Sequence, residues 1–345
     1  MKKILPLLMS AALFSCQPSE MTITGDNALI TAIGRYENNA AGAKMYSAGG
    51  YFTFAFQGKN CELSVLNDGE FDHSFLELVV DGEPKKIRVG RGDTTFVIKQ
   101  DEDKLHQVIL CRDSETMMSF TQIKSIKAEK ILAWTPQTNL KIEFIGNSIT
   151  SGCDCDSSLV SLKDYKWGDW HRAYFAYGPQ TARNLNAQYS LASVSGIGLI
   201  HSCCDMNLTM PQIYDKVLMR YDTISYDFSF KPDLICCCLG QNDGIQDNET
   251  FVSAYVNFVK MLKEKNPTAK NIVLLNSPMA NDSLNTWMQE VLPQVVERLT
   301  NDGVTGVKNF EFSHNKNNGG AMHPDVQQQG EAAKELTDFL KKEVL

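Results

Sequence analysis

Three short polar segments in the second half of the chain contain residue types that catalyse acyl transfer. They are Gly146-Asn-Ser148-Ile-Thr150, Gly240-Gln-Asn242-Asp243 and His323-Pro-Asp325. A serine hydroxyl can attack a carbonyl carbon, a histidine can take the hydroxyl proton, and an amide side chain can stabilise the oxyanion that forms. Together the three segments predict a serine hydrolase.

Each segment also has an ordinary structural explanation. A serine after a glycine turn and an Asn-Asp pair after a strand are common in turns, and His-Pro is common where a helix begins. The joint placement favours catalysis, because all three segments come after predicted strands. The carboxyl ends of parallel strands meet at one edge of a sheet, where the active sites of such sheets form.

The elements that must position these segments alternate between strand and helix. Apolar runs predict strands over residues 140–145, 188–193, 234–239, 271–275 and 307–312. Helices are predicted over 176–185, 251–262 and 284–299, followed by a final helix in which Pro324 is the first residue. This alternation indicates a parallel sheet with helices on both faces.

The first half of the chain has a different rhythm, in which apolar and polar residues alternate with a period of two. Predicted strands cover 51–56, 61–66, 75–80, 95–98 and 106–110, with turn signals such as Asp81-Gly82 between them. Short strands at this spacing indicate an all-β sandwich. We therefore predict a multidomain chain, with a β-sandwich over residues 21–135 and a hydrolase domain over residues 140–345.

Length and composition agree with this division. The 345 residues are enough for about two domains. The net charge of −8 lacks the basic character that nucleic-acid binding needs, so no nucleic-acid partner is predicted.

The start of the chain is predicted to be a targeting signal rather than part of the fold. Lys2 and Lys3 precede an apolar stretch over residues 4–14, as in a secretory signal. Leu13-Phe14-Ser15-Cys16 resembles a lipobox, which implies removal of residues 1–15 and acylation of Cys16. The alternative is an ordinary secretory signal. We expect an exported lipoprotein, anchored to a membrane only through lipid, at the periplasmic or cell-surface face.

The other cysteines fall into two groups. The run 236–238 lies within a buried predicted strand, where thiols act as small hydrophobic side chains. Cys153, Cys155, Cys203 and Cys204 fall in two predicted loops. Their spacing does not fit an ordinary zinc site, so no metal is predicted. A disulfide between the two loops is favoured over a metal in an exported protein, although the sequence does not decide whether these cysteines pair.

The polar segments resemble the sequence blocks of the SGNH, or GDSL-like, hydrolases. Phe144-Ile-Gly-Asn-Ser-Ile-Thr-Ser-Gly152 is similar to the first block, Ser195-Gly196-Ile-Gly198 to the second, residues 240–243 to the third and His323-Pro to the fifth. The β-rich front half is similar to the jelly-roll domain of carbohydrate esterase family 2. This resemblance implies a jelly-roll sandwich followed by a flavodoxin-like α/β/α hydrolase domain with a parallel sheet and no cofactor.

The resemblance also implies roles for individual residues. Ser148 would be the nucleophile and His323 the general base and acid. The oxyanion would be bound by the backbone amides of Ser148 and Gly196 and by the side chain of Asn242.

Two positions depart from the usual pattern of the family. Asn147 stands where an aspartate is usual, and Gly320 stands where many members have an acid. Some members of carbohydrate esterase family 2 also lack that acid, and a backbone carbonyl orients their histidine. The resemblance therefore implies a Ser-His dyad. Asp325 lies on the other side of His323 and is not taken as a replacement.

Four further side chains are candidates for substrate binding. Tyr165, Trp167 and Trp170 follow the nucleophile segment and could form a platform for sugar rings, although aromatic side chains in a loop also serve as packing. His201 follows the second block and could reach the same cleft. His314 competes with His323 for the role of the base, but its segment ends a strand rather than opening the last helix. His73, His106 and His171 are assigned to the surface or the core.

We therefore expect a carboxylic ester hydrolase of the acetylesterase or acetyl xylan esterase type. It would remove O-acetyl groups from polysaccharide or oligosaccharide hydroxyls through an acyl-enzyme, in polysaccharide degradation. One alternative is a general SGNH esterase or lysophospholipase. Another is a non-catalytic carbohydrate-binding lipoprotein. The sequence specifies neither the sugar nor the oligomeric state.

Overall fold

The architecture is seen in a computed structural model that describes residues 20–69, 71–116, 119–220 and 224–345. The predicted signal segment and its Cys16 lie outside these residues. Among the helices of the described residues, none has both the length and the apolar character needed to cross a membrane.

The front half of the chain forms an antiparallel sheet of ten strands. Their bounds are β1 Met21–Thr24, β2 Thr31–Ile33, β3 Tyr36–Asn39, β4 Gly42–Met45, β5 Tyr51–Gly69, β6 His73–Val80, β7 Glu83–Gly90, β8 Gly92–Lys99, β9 Leu105–Arg112 and β10 Ser119–Leu132. The main path runs β3-β4-β10-β5-β9-β6-β7, with β1 on β10 and both β2 and β8 on β5. All five predicted strand runs lie within these strands.

The longest strand, β5, joins two runs that the sequence treats as separate strands. It pairs with β9 along residues 51–57 and with β8 along residues 60–67. Its register against β10 shifts twice, and such shifts let one strand bend between two parts of a sheet. Its alternate side chains, including Phe54, Phe56, Leu63 and Val65, are fully buried in the core of this half.

The back half of the chain contains a parallel sheet of five strands in the order β12-β11-β13-β14-β15. Their bounds are β11 Leu140–Gly146, β12 Ala187–Ser193, β13 Leu234–Cys238, β14 Asn271–Leu275 and β15 Val307–Phe310. The helices are α1 Ser148–Ser151, α2 Tyr177–Asn184, α3 Met210–Ile213, α4 Asn248–Lys265, α5 Asp282–Asn301 and α6 Val326–Glu343. The predicted alternation of strand and helix is confirmed.

The last helix begins later than the sequence predicts. Asp325 is its N-cap, with Oδ1 accepting a hydrogen bond from Gln328 N–H at 2.8 Å while the Gln328 side chain accepts from Asp325 N–H at 3.3 Å. This reciprocal capping box fixes the helix start. Pro324 therefore lies before the cap and is not the first helical residue.

The two halves pack against each other through both apolar and charged groups. Tyr51 and Cys111 of the front half share a buried cluster with Tyr189 of the back half. Arg35 of the front half is fully buried and lies 3.5 Å from a carboxylate oxygen of Glu143 in β11. A front domain held this closely can shape the site at the edge of the parallel sheet.

Candidate active site

The nucleophile candidate lies where β11 turns directly into α1. Gly146 is required at this turn, because a Cβ there would collide with Thr150 Oγ1. Asn147 caps the short helix by accepting a hydrogen bond from Ile149 N–H at 3.1 Å. Ser148 follows as the first helical residue, and its side chain lines a cavity of about 600 Å³.

His323 reaches Ser148 from the segment that precedes α6. Its Nε2 lies 2.8 Å from Ser148 Oγ, and its Nδ1 lies 3.2 Å from the carbonyl oxygen of Gly320. A carbonyl only accepts, so Nδ1 carries the proton and Nε2 is left to accept from the serine hydroxyl. The arrangement matches the predicted dyad oriented by a backbone carbonyl.

An aromatic ring lies where a side chain at position 320 would begin. A Cβ on Gly320 would lie 2.6 Å from the ring of Trp170. Asp325 is engaged in the helix cap and does not contact His323. A side chain at position 320 would therefore displace Trp170, and Asp325 does not supply the missing carboxylate.

A carboxylate that the sequence analysis missed lies near the base instead. An oxygen of Asp154 is within 4.8 Å of a ring nitrogen of His323. Asp154 accepts a hydrogen bond from Tyr165 Oη at 2.8 Å and lies 3.5 Å from His171 Nδ1. His171 is fully buried, so this histidine is part of the packing behind the site. Asp154 lies between two cysteines, and no local pattern in the sequence indicates that it faces the base.

Burial lowers the pKa of His323, and the Gly320 carbonyl and the Asp154 carboxylate act in the opposite direction. A base with a lowered pKa stays neutral, and therefore active, at more acidic pH. We expect the acid limb of kcat/KM to have its midpoint below the ~6.5 of free histidine. Asp154→Asn should move it lower still, because it removes a charge that favours the imidazolium. A pH profile of both proteins checks this, and a midpoint clearly above 7 in the parent protein would contradict it.

The predicted oxyanion donors lie at the same edge of the parallel sheet as Ser148. Gly196 follows β12 with a φ of +82°, a conformation that favours glycine, and a Cβ there would lie 3.0 Å from Cys203 Sγ. Asn242 follows β13, and its Nδ2 donates to the Ile197 carbonyl at 2.8 Å, which leaves its second N–H available. Both residues line the cavity together with Ser148 and His323.

The three aromatic candidates also line the cavity. Tyr165 and Trp170 contact each other with ring centroids 4.5 Å apart, and Trp170 Nε1 donates to the Val160 carbonyl at 2.7 Å. Trp167 packs edge-on against His171. His201 differs, because it is exposed at the rim, with Nδ1 3.4 Å from the Asn242 carbonyl, and is not part of the cavity lining.

The structure decides the pairing of the loop cysteines, which the sequence leaves open. The disulfide joins the neighbours Cys203 and Cys204, while Cys153 and Cys155 are free and buried. A disulfide between the two loops does not form, because both cysteines of the second loop are already used. The run 236–238 is buried in β13, as predicted.

Two groups of side chains bring possible metal ligands within 4.8 Å of one another. They are Glu115, Cys153 and His171, and Cys153, Asp154 and His323. Glu115 already accepts hydrogen bonds from Ser195, and both ring nitrogens of His323 have partners in the dyad. We assign no metal to either group.

The comparisons with known proteins concern the family and the fold. Residues 32–136 match the family model described as Carbohydrate esterase 2 N-terminal. The chain is 27% identical over 297 residues to an acetylxylan esterase / glucomannan deacetylase of Cellvibrio japonicus (strain Ueda107), covering 80% of this chain and 79% of that protein.

Two solved structures share the fold over nearly the whole chain. A family two carbohydrate esterase from Cellvibrio japonicus superimposes with a TM-score of 0.84 at 24% identity, covering 94% of this chain and 98% of that one. A family two carbohydrate esterase from Clostridium thermocellum, in complex with cellohexaose, has a TM-score of 0.81 at 24% identity, covering 91% and 99%.

These findings confirm two predictions made from the sequence. The chain is similar to family two carbohydrate esterases. Its enzyme class is a carboxylic ester hydrolase. The individual roles given to Ser148, His323, Gly196 and Asn242 stay predictions.

Proposed function

We propose that this protein removes O-acetyl groups from hydroxyls of a polysaccharide or oligosaccharide through an acyl-enzyme on Ser148. The observation that carries the proposal is the 2.8 Å contact between Ser148 Oγ and His323 Nε2 at the floor of an open cavity. The matched relative is named for deacetylation of xylan and glucomannan, which supports a plant-type glycan as substrate.

The reaction divides into two half-reactions that use the same groups. His323 Nε2 takes the Ser148 proton as Oγ attacks the acetyl carbon, and the oxyanion is bound by backbone N–H groups and the Asn242 amide. The sugar oxygen leaves with the proton returned by His323. Water then attacks the acetyl-serine with the same base, which releases acetate and restores the serine.

A carbohydrate substrate is supported by the aromatic wall of the cavity. Tyr165, Trp167 and Trp170 line the same cavity as the dyad, and aromatic faces pack well on the apolar faces of sugars. Because the hydroxyl of Tyr165 and the indole nitrogen of Trp170 are hydrogen-bonded to protein, their rings are held in place before substrate arrives.

Two parts of the proposal concern the rest of the chain. We propose that the front domain has jelly-roll topology, for which its antiparallel sheet and its family match are the support.

We also propose that the protein is exported and carries lipid on Cys16, and two acyl chains would anchor the protein stably. Fatty-acid labelling that persists in a Cys16→Ser variant would contradict the anchor.

A serine-directed fluorophosphonate probe distinguishes an esterase from a non-catalytic carbohydrate-binding protein. We expect the folded protein to be labelled, and Ser148→Ala to lose the label. Ser151→Ala is a matched control, because Ser151 is a buried serine of the same short helix whose hydroxyl donates to Ser193 at 2.9 Å. Label retained by Ser148→Ala would contradict the nucleophile assignment. A parent protein that binds glycan but takes no label would favour the binding module.

Acyl length separates an acetylesterase from a lipase-like enzyme. A Cβ on Gly196 would lie 3.0 Å from Cys203 Sγ and 3.6 Å from Met206 Cε, so these side chains pack closely on the loop that carries a proposed oxyanion donor. We propose that an acetyl group fits beside this loop and that a longer acyl chain does not. If the acyl pocket had room for a longer chain, burying each added methylene would strengthen binding by about 0.8 kcal/mol. We expect kcat/KM to fall from aryl acetate to butyrate and octanoate, and a rise along that series would favour the general esterase or lysophospholipase alternative.

A further inference from the structure

A segment of the front domain is buried against the active site of the back domain. Residues 112–116, which we call the interdomain arm, connect β9 towards β10. Each of their side chains is at most 4% exposed, although all five are polar or charged: Arg112, Asp113, Ser114, Glu115 and Thr116. Burying so many polar groups is costly unless they are hydrogen-bonded, and the arm makes hydrogen bonds to both halves of the chain.

The base of the arm is fixed to the front domain. Arg112 N–H donates to the Gly50 carbonyl at 2.9 Å, and its guanidinium donates to the Tyr46 carbonyl at 3.0 Å. The same guanidinium donates to the backbone carbonyl of Glu115 at 2.5 Å. The backbone position of Glu115 is therefore set by the front domain.

The tip of the arm contacts residues 195–201, the loop after β12 that carries Gly196 and that we call the oxyanion loop. Glu115 Oε2 accepts a hydrogen bond from Ser195 N–H at 3.0 Å, and Glu115 Oε1 accepts one from Ser195 Oγ. Ser195 directly precedes Gly196, whose amide is a predicted oxyanion donor. Hydrogen bonds to a buried carboxylate are stronger than neutral ones, so Ser195 is held through both its backbone and its side chain.

The other end of the loop is held by a second carboxylate. Asp243, which follows Asn242, accepts hydrogen bonds from the N–H groups of Leu199, Ile200 and His201 at 2.7–3.0 Å. Asp243 belongs to the hydrolase domain, whereas Glu115 comes from the front domain. The conformation of the loop therefore depends on both halves of the chain.

We propose that Glu115 is a positioning residue for ester hydrolysis. It holds Ser195 so that the Gly196 N–H is directed at the oxygen on which charge develops. This inference rests on the proposed function, because it assumes an oxyanion at that place. Its consequence is that the front domain, in addition to packing on the hydrolase domain, contributes to the chemical step.

The size and type of the effect follow from this role. Loss of a whole oxyanion donor costs about 10²–10³-fold in kcat, and a displaced donor should cost less. We expect Glu115→Gln, which keeps one acceptor but loses the charge, to lower kcat about tenfold. Glu115→Ala should lower kcat by about 10²-fold. KM for a small aryl acetate should change less than about twofold in both, because the contact acts on the transition state.

Asp113→Asn is the matched control within the same arm. Asp113 is equally buried and accepts from Tyr174 N–H of the back domain at 3.1 Å, but it does not contact the oxyanion loop. Ser195→Ala supplies a second test, because it removes the hydroxyl contact to Glu115 and keeps the backbone one. We expect an intermediate loss of kcat for Ser195→Ala and little loss for Asp113→Asn.

The experiment measures kcat, KM and Tm for the full chain and its variants with 4-nitrophenyl acetate. A kcat loss in Glu115→Gln at unchanged KM, with a Tm no lower than that of Asp113→Asn, supports the inference. Equal kcat in Glu115→Gln and Asp113→Asn overturns the inference. So does a loss of kcat that increases in step with the fall in Tm across the variants. If Glu115→Ala does not fold, Glu115→Gln and Ser195→Ala still decide. A parent protein without Ser148-dependent esterase activity would instead contradict the proposed function, and the inference with it.

Discussion

Replacing Ser148 with alanine is expected to reduce kcat/KM for an aryl acetate by about 10³-fold or more, and His323→Ala should cost a similar factor. The reason is that Ser148 Oγ and His323 Nε2 are hydrogen-bonded as one unit. Without the base the hydroxyl is a poor nucleophile, and without the hydroxyl the base has no proton to take. The double variant should therefore lose little more than either single variant.

Asp325→Ala is the control that separates a dyad from a triad. Asp325 caps α6, so its loss should lower stability by about 1 kcal/mol while leaving most of the activity. An activity loss as large as that of His323→Ala would show that Asp325 belongs to a true triad. We therefore measure kcat/KM and Tm for Ser148→Ala, His323→Ala, their double variant and Asp325→Ala. These values distinguish a dyad from a triad.

The isolated back half, residues 140–345, is expected to fold poorly and to lose nearly all activity. Glu143 and Arg172 would each lose a charged partner from the front half. Arg35 lies 3.5 Å from Glu143, and Glu77 accepts two hydrogen bonds at 2.9 Å from Arg172. Removing the front half also takes away Tyr51 and Cys111, which pack in one apolar cluster with Tyr189, and a domain has only about 5–15 kcal/mol of stability in all.

A chain cut between its two halves is the matched control for this truncation. Residues 133–138 have no strand or helix, so a protease site placed there can be cleaved after folding. We expect the cleaved protein to stay associated and active, because the interdomain contacts are not covalent. Full activity and an unchanged Tm in the isolated back half would contradict the proposed dependence on the front domain.

The sequence predicts the local parts of this site well, because local rules govern them. The turn at Gly146 and Ser148 follows from a buried strand that ends in glycine. The amphipathic pattern predicts the final helix, although the sequence places its first residue at Pro324 and the structure begins it at Val326, after the Asp325 cap. The five parallel strands were recognised from their short apolar runs.

The parts that the sequence analysis missed depend on contacts between distant segments. Glu115 and Ser195 are 80 residues apart, and neither position has a local pattern that indicates the other. His171 was assigned to the surface or core because a single histidine carries no information about its neighbours. The pairing of Cys203 with Cys204 is not predicted, because no local pattern distinguishes a bond between these neighbours from a bond to the other loop.

The most direct test of the proposed function is acetate release from acetylated polysaccharides. Acetylated xylan and acetylated glucomannan are incubated with the parent protein, with Ser148→Ala and with Ser151→Ala, and free acetate is measured over time. We predict acetate release by the parent protein and by Ser151→Ala, and none above background by Ser148→Ala. A parent protein that hydrolyses long-chain aryl esters but releases no acetate from any acetylated glycan would contradict the proposed function.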